Sequence, residues 1–123
     1  MKRNAADGLF AKPSMMGWGG PSPSLGEAMV VGVVKLSLRL PENHSLKGKR
    51  KVIKSICEKV RHRFDVAVAE IDSLDLWQAS EVGIAAVGNE GGYVNSKLDK
   101  AINFVESLHV AEVVDVQLEL IHL

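Results

Sequence analysis

The sequence predicts one α+β domain in which a four-stranded antiparallel sheet carries two helices on one face. Three observations favour this class. Four segments alternate apolar with other residues, two segments place apolar residues at helical spacing, and together they follow the order β-α-β-β-α-β. The chain has 123 residues, of which 46% are hydrophobic. That content supports one core but not two, so a single domain is expected.

The first strand and the first helix follow from residues 30–64. Residues 30–40 show a period of two, which predicts a strand with one buried face. Pro41 ends this strand because it has no backbone N–H to donate. Ser45 is a suitable N-cap for the helix that follows. The predicted buried stripe of this helix consists of Leu46, Ile53, Ile56, Cys57, Val60 and Phe64.

The second half of the chain is predicted to form three strands and one helix. Residues 66–72 are predicted to form strand two, residues 73–78 a turn, and residues 81–88 strand three. The glycine-rich run 88–92 precedes a second helix, and residues 113–121 form strand four. The apolar residues expected to point inward from helix two and strand four are Leu98, Ile102, Val105, Leu108, Val114, Val116, Leu118 and Leu120. Short connections and right-handed crossovers favour sheet order 4-1-3-2, the ferredoxin-like sandwich.

Residues 1–28 differ from the rest of the chain. They are rich in glycine and proline and show no period, so we expect a disordered N-terminal extension before a domain of residues 29–123. Docking of Trp18 with Met15 and Met16 as a short anchor is the alternative. No apolar run resembles a signal peptide or a membrane span, and a single cysteine suits a reducing compartment. A cytoplasmic protein without membrane contact is expected.

Positive charge is concentrated in residues 45–64. Eight of these twenty residues are Lys or Arg and only Glu58 is acidic, whereas the whole chain has 15 basic and 15 acidic residues. Such asymmetry favours an anionic partner. Lys47, Lys49 and Arg50 fall in or beside the first helical turn, where the helix dipole opposes cations. Free N–H groups at a helix start also bind phosphate, so this start is predicted to bind an anion such as RNA phosphate.

Topology brings further residues to the same end of the sheet. Strands one and two should run in the same direction, so the loops that follow them should meet, close to the start of strand four near His109. The predicted anion- or RNA-binding site consists of His44, Ser45, Lys47, Lys49, Arg50, Lys54, Trp77 and Gln78. Asp72 and Asp75 are candidate salt-bridge partners, and pairing with Lys47 or Arg50 is the purely structural alternative. Trp77 could stack on a base, although capping the core is its commoner role.

Three stretches of sequence carry a resemblance to a known family: LRLPENHSLKGKRKVIKSI, VAEIDSLDLWQASEVGIAAV and VVDVQLEL. They resemble the YlxP-like family of small bacterial proteins of unknown function. The similarity runs from about Met29 to the C-terminus and includes the SLKxKR and DLWQ elements at the family's spacing. The resemblance implies a ferredoxin-like fold. The translation and transcription genes that often neighbour family members imply work on RNA or the ribosome. No catalytic residues are carried over.

Catalytic, metal and cofactor sites are not predicted. His44 has no acid beside it in sequence, and His62, His109 and His122 lack metal-ligand spacing with each other or with Cys57. The GNEGG turn lacks the Lys and Ser/Thr of a phosphate loop. The expected function is that of a non-catalytic RNA- or ribosome-associated binding protein. The alternative is a homodimeric regulatory or interaction module that binds a small anionic ligand.

The sheet face opposite the helices is predicted to be open. On it, Lys35 and Arg39 of strand one should lie beside acidic residues of strand four, so that the charges pair. Strands two and three contribute small and apolar residues. Such a face favours burial by a second subunit, and pairing through the edge of strand two is another route to a homodimer.

Overall fold

The computed structural model describes residues 29–123. The elements are β1 (Val30–Arg39), α1 (Leu46–Phe64), β2 (Ala67–Asp72), β3 (Ala79–Gly88), α2 (Gly91–Leu108) and β4 (Glu112–His122). The sheet order is β2-β3-β1-β4 and every neighbouring pair is antiparallel, which confirms the predicted ferredoxin-like sandwich. The expectations for residues 1–28 lie outside the described residues.

The core lies between one face of the sheet and the two helices. Alternate residues of β1, such as Val34 and Leu36, are buried, as the period of two predicts. Helix α2 lies close against the central strand at Gly32, where an added Cβ would come within 2.5 Å of Leu98 Cδ1. A larger residue here would therefore require the side chains of Leu98 and Val94 to move, which glycine avoids.

Strand β4 departs from its predicted alternation. Val114 and Val116 are exposed, at 57% and 40%, and are not core residues. The register with β1 shifts after Ser37, so that Leu38 lies opposite Val113 and Val114 is the extra residue of a bulge. A bulge changes the phase of the alternation, which places Val113 rather than Val114 against the core. Val116 keeps its inward register with β1 but belongs to an edge strand, where it is partly uncovered.

The loops at one end of the sheet converge as expected. The Leu40 N–H donates to the Gln78 carbonyl at 2.9 Å, which joins the β1–α1 loop to the β2–β3 loop. A cleft at the same end is lined by Pro41 and Asn43 on one side and by His109 on the other. Within residues 29–123, no helix is both long and apolar enough to cross a membrane.

Candidate nucleic-acid interface

The side chain of Lys49 lies inside the cluster formed by the β1–α1 and β2–β3 loops, which we call the loop cluster. This lysine side chain is fully buried. Its Nζ lies 3.0 Å from the Glu70 carboxylate and donates to the carbonyls of Ser73 at 2.6 Å, Leu74 at 3.2 Å and Ala79 at 3.2 Å. These four oxygens fully occupy a three-donor ammonium, as a buried cation requires. This removes Lys49 from the predicted anion site, because its ammonium does not reach the surface.

The bonds made by Lys49 hold the β2–β3 loop in one conformation. Ser73 adopts the left-handed backbone conformation, with φ 61°, which costs a residue with a Cβ about 1–2 kcal/mol. Its carbonyl accepts the shortest of the Lys49 bonds, and its N–H donates to Asp72 Oδ1 at 2.7 Å. The cation thus helps to stabilise a strained turn, and β2 and β3 emerge from that turn.

Two amide side chains tie the two loops together. Asn43 Nδ2 donates to the Ser45 carbonyl at 2.7 Å and to the Trp77 carbonyl at 2.6 Å. Gln78 Nε2 donates to the carbonyls of Pro41 at 3.2 Å and Asn43 at 3.0 Å. The predicted site residue Gln78 therefore acts within the fold as a bridge between the loops.

The start of α1 is capped by the chain itself. Ser45 is the N-cap, as predicted, and its Oγ accepts from the Gly48 N–H at 2.9 Å. A Cβ on Gly48 would lie 2.5 Å from Asn43 Oδ1, so Asn43 packs directly over this turn. Part of the helix start that was expected to receive a phosphate is thus already covered by Ser45 and Asn43.

The remaining cations of the predicted site form one exposed row. Lys47, Arg50 and Lys54 are exposed and are spaced three and four residues apart, which places them on one side of α1 over a length of about 10 Å. The first turn of α1 contains no acidic residue. We call these three residues the basic row. His44 is also exposed, at the point where the chain enters the helix.

Trp77 does not cap the core, and the commoner of its two expected roles is wrong. Its side chain is 55% exposed, although its carbonyl is fixed by Asn43. Leu74 and Leu76 of the same loop are each 54% exposed. The loop therefore combines a restrained backbone with large exposed apolar side chains, and Asn43 joins it to Ser45, the N-cap residue of α1.

The acidic residues of the loop do not neutralise the basic row. Within residues 29–123, no ion pair joins Asp72 or Asp75 to Lys47 or Arg50. Asp72 instead accepts from the neighbouring Ser73 N–H, and Asp75 is exposed. The ion pair of this region joins Lys49 to Glu70, and the sequence did not predict it.

Sequence signals for that buried pair do exist. Lys49 precedes Ile53 by four residues and Ile56 by seven, so it occupies the buried stripe of α1. Glu70 and Ser80 occupy inward positions of their strands, and the Ser80 hydroxyl donates to Glu70 at 2.6 Å. Polar residues at three inward positions indicate a buried polar network, since each needs a partner there.

The cleft beside Pro41 is poorly suited to bind an anion, and Cys57 is poorly suited to act as a nucleophile. Besides apolar residues, the cleft beside Pro41 is lined by Glu42, Glu112 and His109, and these carboxylates disfavour an anionic ligand. Cys57 is buried, as predicted, and burial raises the pKa of its thiol, with smaller opposing effects from Arg61 and reinforcing ones from nearby glutamates. A buried thiol with a raised pKa is a poor nucleophile.

Comparison with known proteins defines the class of this domain. Its fold and its converging loops are those of a small α+β domain of the ferredoxin-like type. Residues 31–118 match the family described as "Protein of unknown function (DUF503)", and the chain belongs to that family. It is also similar to "Uncharacterized protein YlxP" of Bacillus subtilis (strain 168), with 32% identity over 78 residues, which span 63% of this chain and 85% of that protein.

Proposed function

We propose that this protein is a non-catalytic RNA-binding protein of the cytoplasm that contacts single-stranded or looped RNA, including ribosomal RNA, through the basic row and Trp77. The observation that carries the proposal is an exposed tryptophan whose backbone is held at the start of a helix lined with exposed cations. Indole rings stack on bases without strong sequence preference, and Lys and Arg contact phosphates.

The arrangement suits RNA more than a small anion. The three cations extend along the helix and do not converge on one point, which matches a chain of phosphates. The open cleft nearby carries Glu42 and Glu112 in its wall. The hydrogen bonds of the buried Lys49 and of Asn43 restrain the loop before binding, which lowers the entropy cost of ordering it on RNA.

The test is fluorescence anisotropy of the full chain with labelled single-stranded and structured ribosomal RNA over a salt series. Binding should weaken steeply with salt, and Lys47→Gln or Arg50→Gln should each lower the slope of log K against log salt by about 1. Lys59→Gln is the matched control, because it removes one exposed charge from the same helix, about 18 Å from Lys47 and about 14 Å from Arg50 along the axis.

The tryptophan is tested separately. Trp77→Ala should weaken binding by about 1–3 kcal/mol without changing the salt slope, since stacking involves no charge. Tyr93→Ala is the matched control, because Tyr93 is also 55% exposed but lies in the first turn of α2, which begins at the opposite end of the sheet. Absence of RNA binding at low salt, or equal loss in Tyr93→Ala, would overturn the proposal.

A further inference from the structure

The open face of the sheet has an apolar half. In register, Val31 of β1 lies between Val87 of β3 and Ile121 of β4. The next row places Val33 beside Ala85, and Ala67 beyond it. The third row contains Gly83 and Ala69, and Ile71 contacts Gly83 from β2. We call the apolar residues of these three rows, together with Ile71, the apolar patch.

Polar residues border the apolar patch on two sides. Lys35, Gln117 and Glu119 lie along its β4 side. Beyond its third row, the Ser37 hydroxyl donates to Glu81 at 3.3 Å, and Arg39 pairs with Glu112 at 3.3 Å. An apolar centre with a polar rim is the ordinary anatomy of a protein–protein contact. The rim contains several carboxylates, and within residues 29–123 the face carries no aromatic side chain, so it does not suit RNA.

We propose that this face is a dimer interface, with a second copy of the chain as its occupant. The area is suitable: the strands have 10, 6, 10 and 11 residues, and at about 4.8 Å between strands and 3.3 Å per residue the whole face, polar rim included, presents roughly 600 Å² per copy, so that two copies would bury about 1,200 Å². That total reaches the lower limit of specific interfaces. Small side chains near the centre of the face let two twisted sheets approach closely.

Pairing through strand edges is the weaker route. Strand β2 has only six residues, and its register with β3 is irregular between Glu70 and Asp72. The other edge, β4, is interrupted by the bulge at Val114. Short and bulged edges resist extension by another strand. The face, in contrast, is continuous over β1 and β3, which pair without a register shift.

The test compares two valine substitutions in the full chain by sedimentation velocity over a concentration series. Val87 lies in the apolar patch and is 61% exposed, whereas Val110 lies in the α2–β4 loop and is 51% exposed. Val87→Glu should raise the dimer dissociation constant by about tenfold or more, because it would bury an unpaired carboxylate. Ala69→Glu, on the β2 side of the patch, should do the same, and Val110→Glu should behave as the wild type.

Two outcomes would overturn the inference. A wild-type chain that stays monomeric at high micromolar concentration excludes a second copy, whether the face is bare or is covered by residues 1–28. A dimer that persists unchanged in both Val87→Glu and Ala69→Glu places the contact elsewhere. Circular dichroism of each variant checks that it is folded, and both positions are exposed, so the substitutions do not enter the core.

Discussion

The two helices of this domain begin in opposite ways. At the start of α1, the Ser45 side chain caps Gly48, Asn43 packs over the same turn, and Lys49 anchors the adjoining loop from inside. At the start of α2, Glu90 makes no side-chain capping bond, and nothing within the described residues lies within 4 Å of a Cβ placed on Gly92.

This difference shows how the polar residues around α1 divide their work. Asn43, Ser45, Lys49 and Gln78 direct their hydrogen bonds into the chain and hold two loops together. The basic row and the Trp77 ring stay exposed beside them. Gly48 in the first turn of α1 therefore leaves room for Asn43, whereas no side chain of residues 29–123 packs over Gly92 in the first turn of α2. Substitutions at these two glycines should change stability in opposite directions.

The largest effect is expected at Lys49. Lys49→Met should lower the free energy of unfolding by about 3 kcal/mol, because it leaves the Glu70 charge unpaired and removes the donor from two loop carbonyls and from the first carbonyl of β3. Urea denaturation of the full chain measures the change.

The control for Lys49 is Lys51→Met, which makes the same change at an exposed position of the same helix. It should alter stability by no more than about 0.5 kcal/mol. Similar midpoints for the two variants would show that the buried ammonium does not stabilise the loop cluster.

The glycine pair should give effects of opposite sign. Gly48→Ala should destabilise by about 1 kcal/mol, because displacing Asn43 loses its bonds to Ser45 and Trp77, and this outweighs the better helix propensity of alanine. Gly92→Ala meets open space and should stabilise by about 0.5–1 kcal/mol. Thermal unfolding measures the stability of both variants. A higher melting temperature for Gly48→Ala would contradict the proposed packing role of Asn43.

The architecture could be predicted from the sequence because each element carries its own period. Helix α1 begins at Leu46 and ends at Phe64, as its cap and its stripe predict. Strand β4 was the exception, since a bulge depends on pairing with β1, and no local pattern near Val114 reports it.

The candidate site could be predicted only in part. Convergence of the loops follows from the directions of β1 and β2, which the element order determines. The roles of individual residues do not follow in this way, since Lys47 and Lys49 are both cations of one helical turn and only their angle around the helix separates an exposed from a buried side chain. Likewise, the exposure of Trp77 depends on contacts between loops.

Effects no larger than those of the glycine pair are expected at the two N-caps. Ser45→Ala should cost about 1 kcal/mol, because the Gly48 N–H loses its acceptor. Glu90→Asp should gain about 0.5 kcal/mol, since Glu90 already has the extended N-cap backbone, with φ −145° and ψ 130°, and a shorter carboxylate reaches the first turn while keeping its charge near the helix dipole. Amide hydrogen exchange in the first turn of each helix should slow for Glu90→Asp and quicken for Ser45→Ala. If exchange at the start of α2 in the wild type is already as slow as at the start of α1, the two helix starts are equally stable and the difference in their capping does not affect stability.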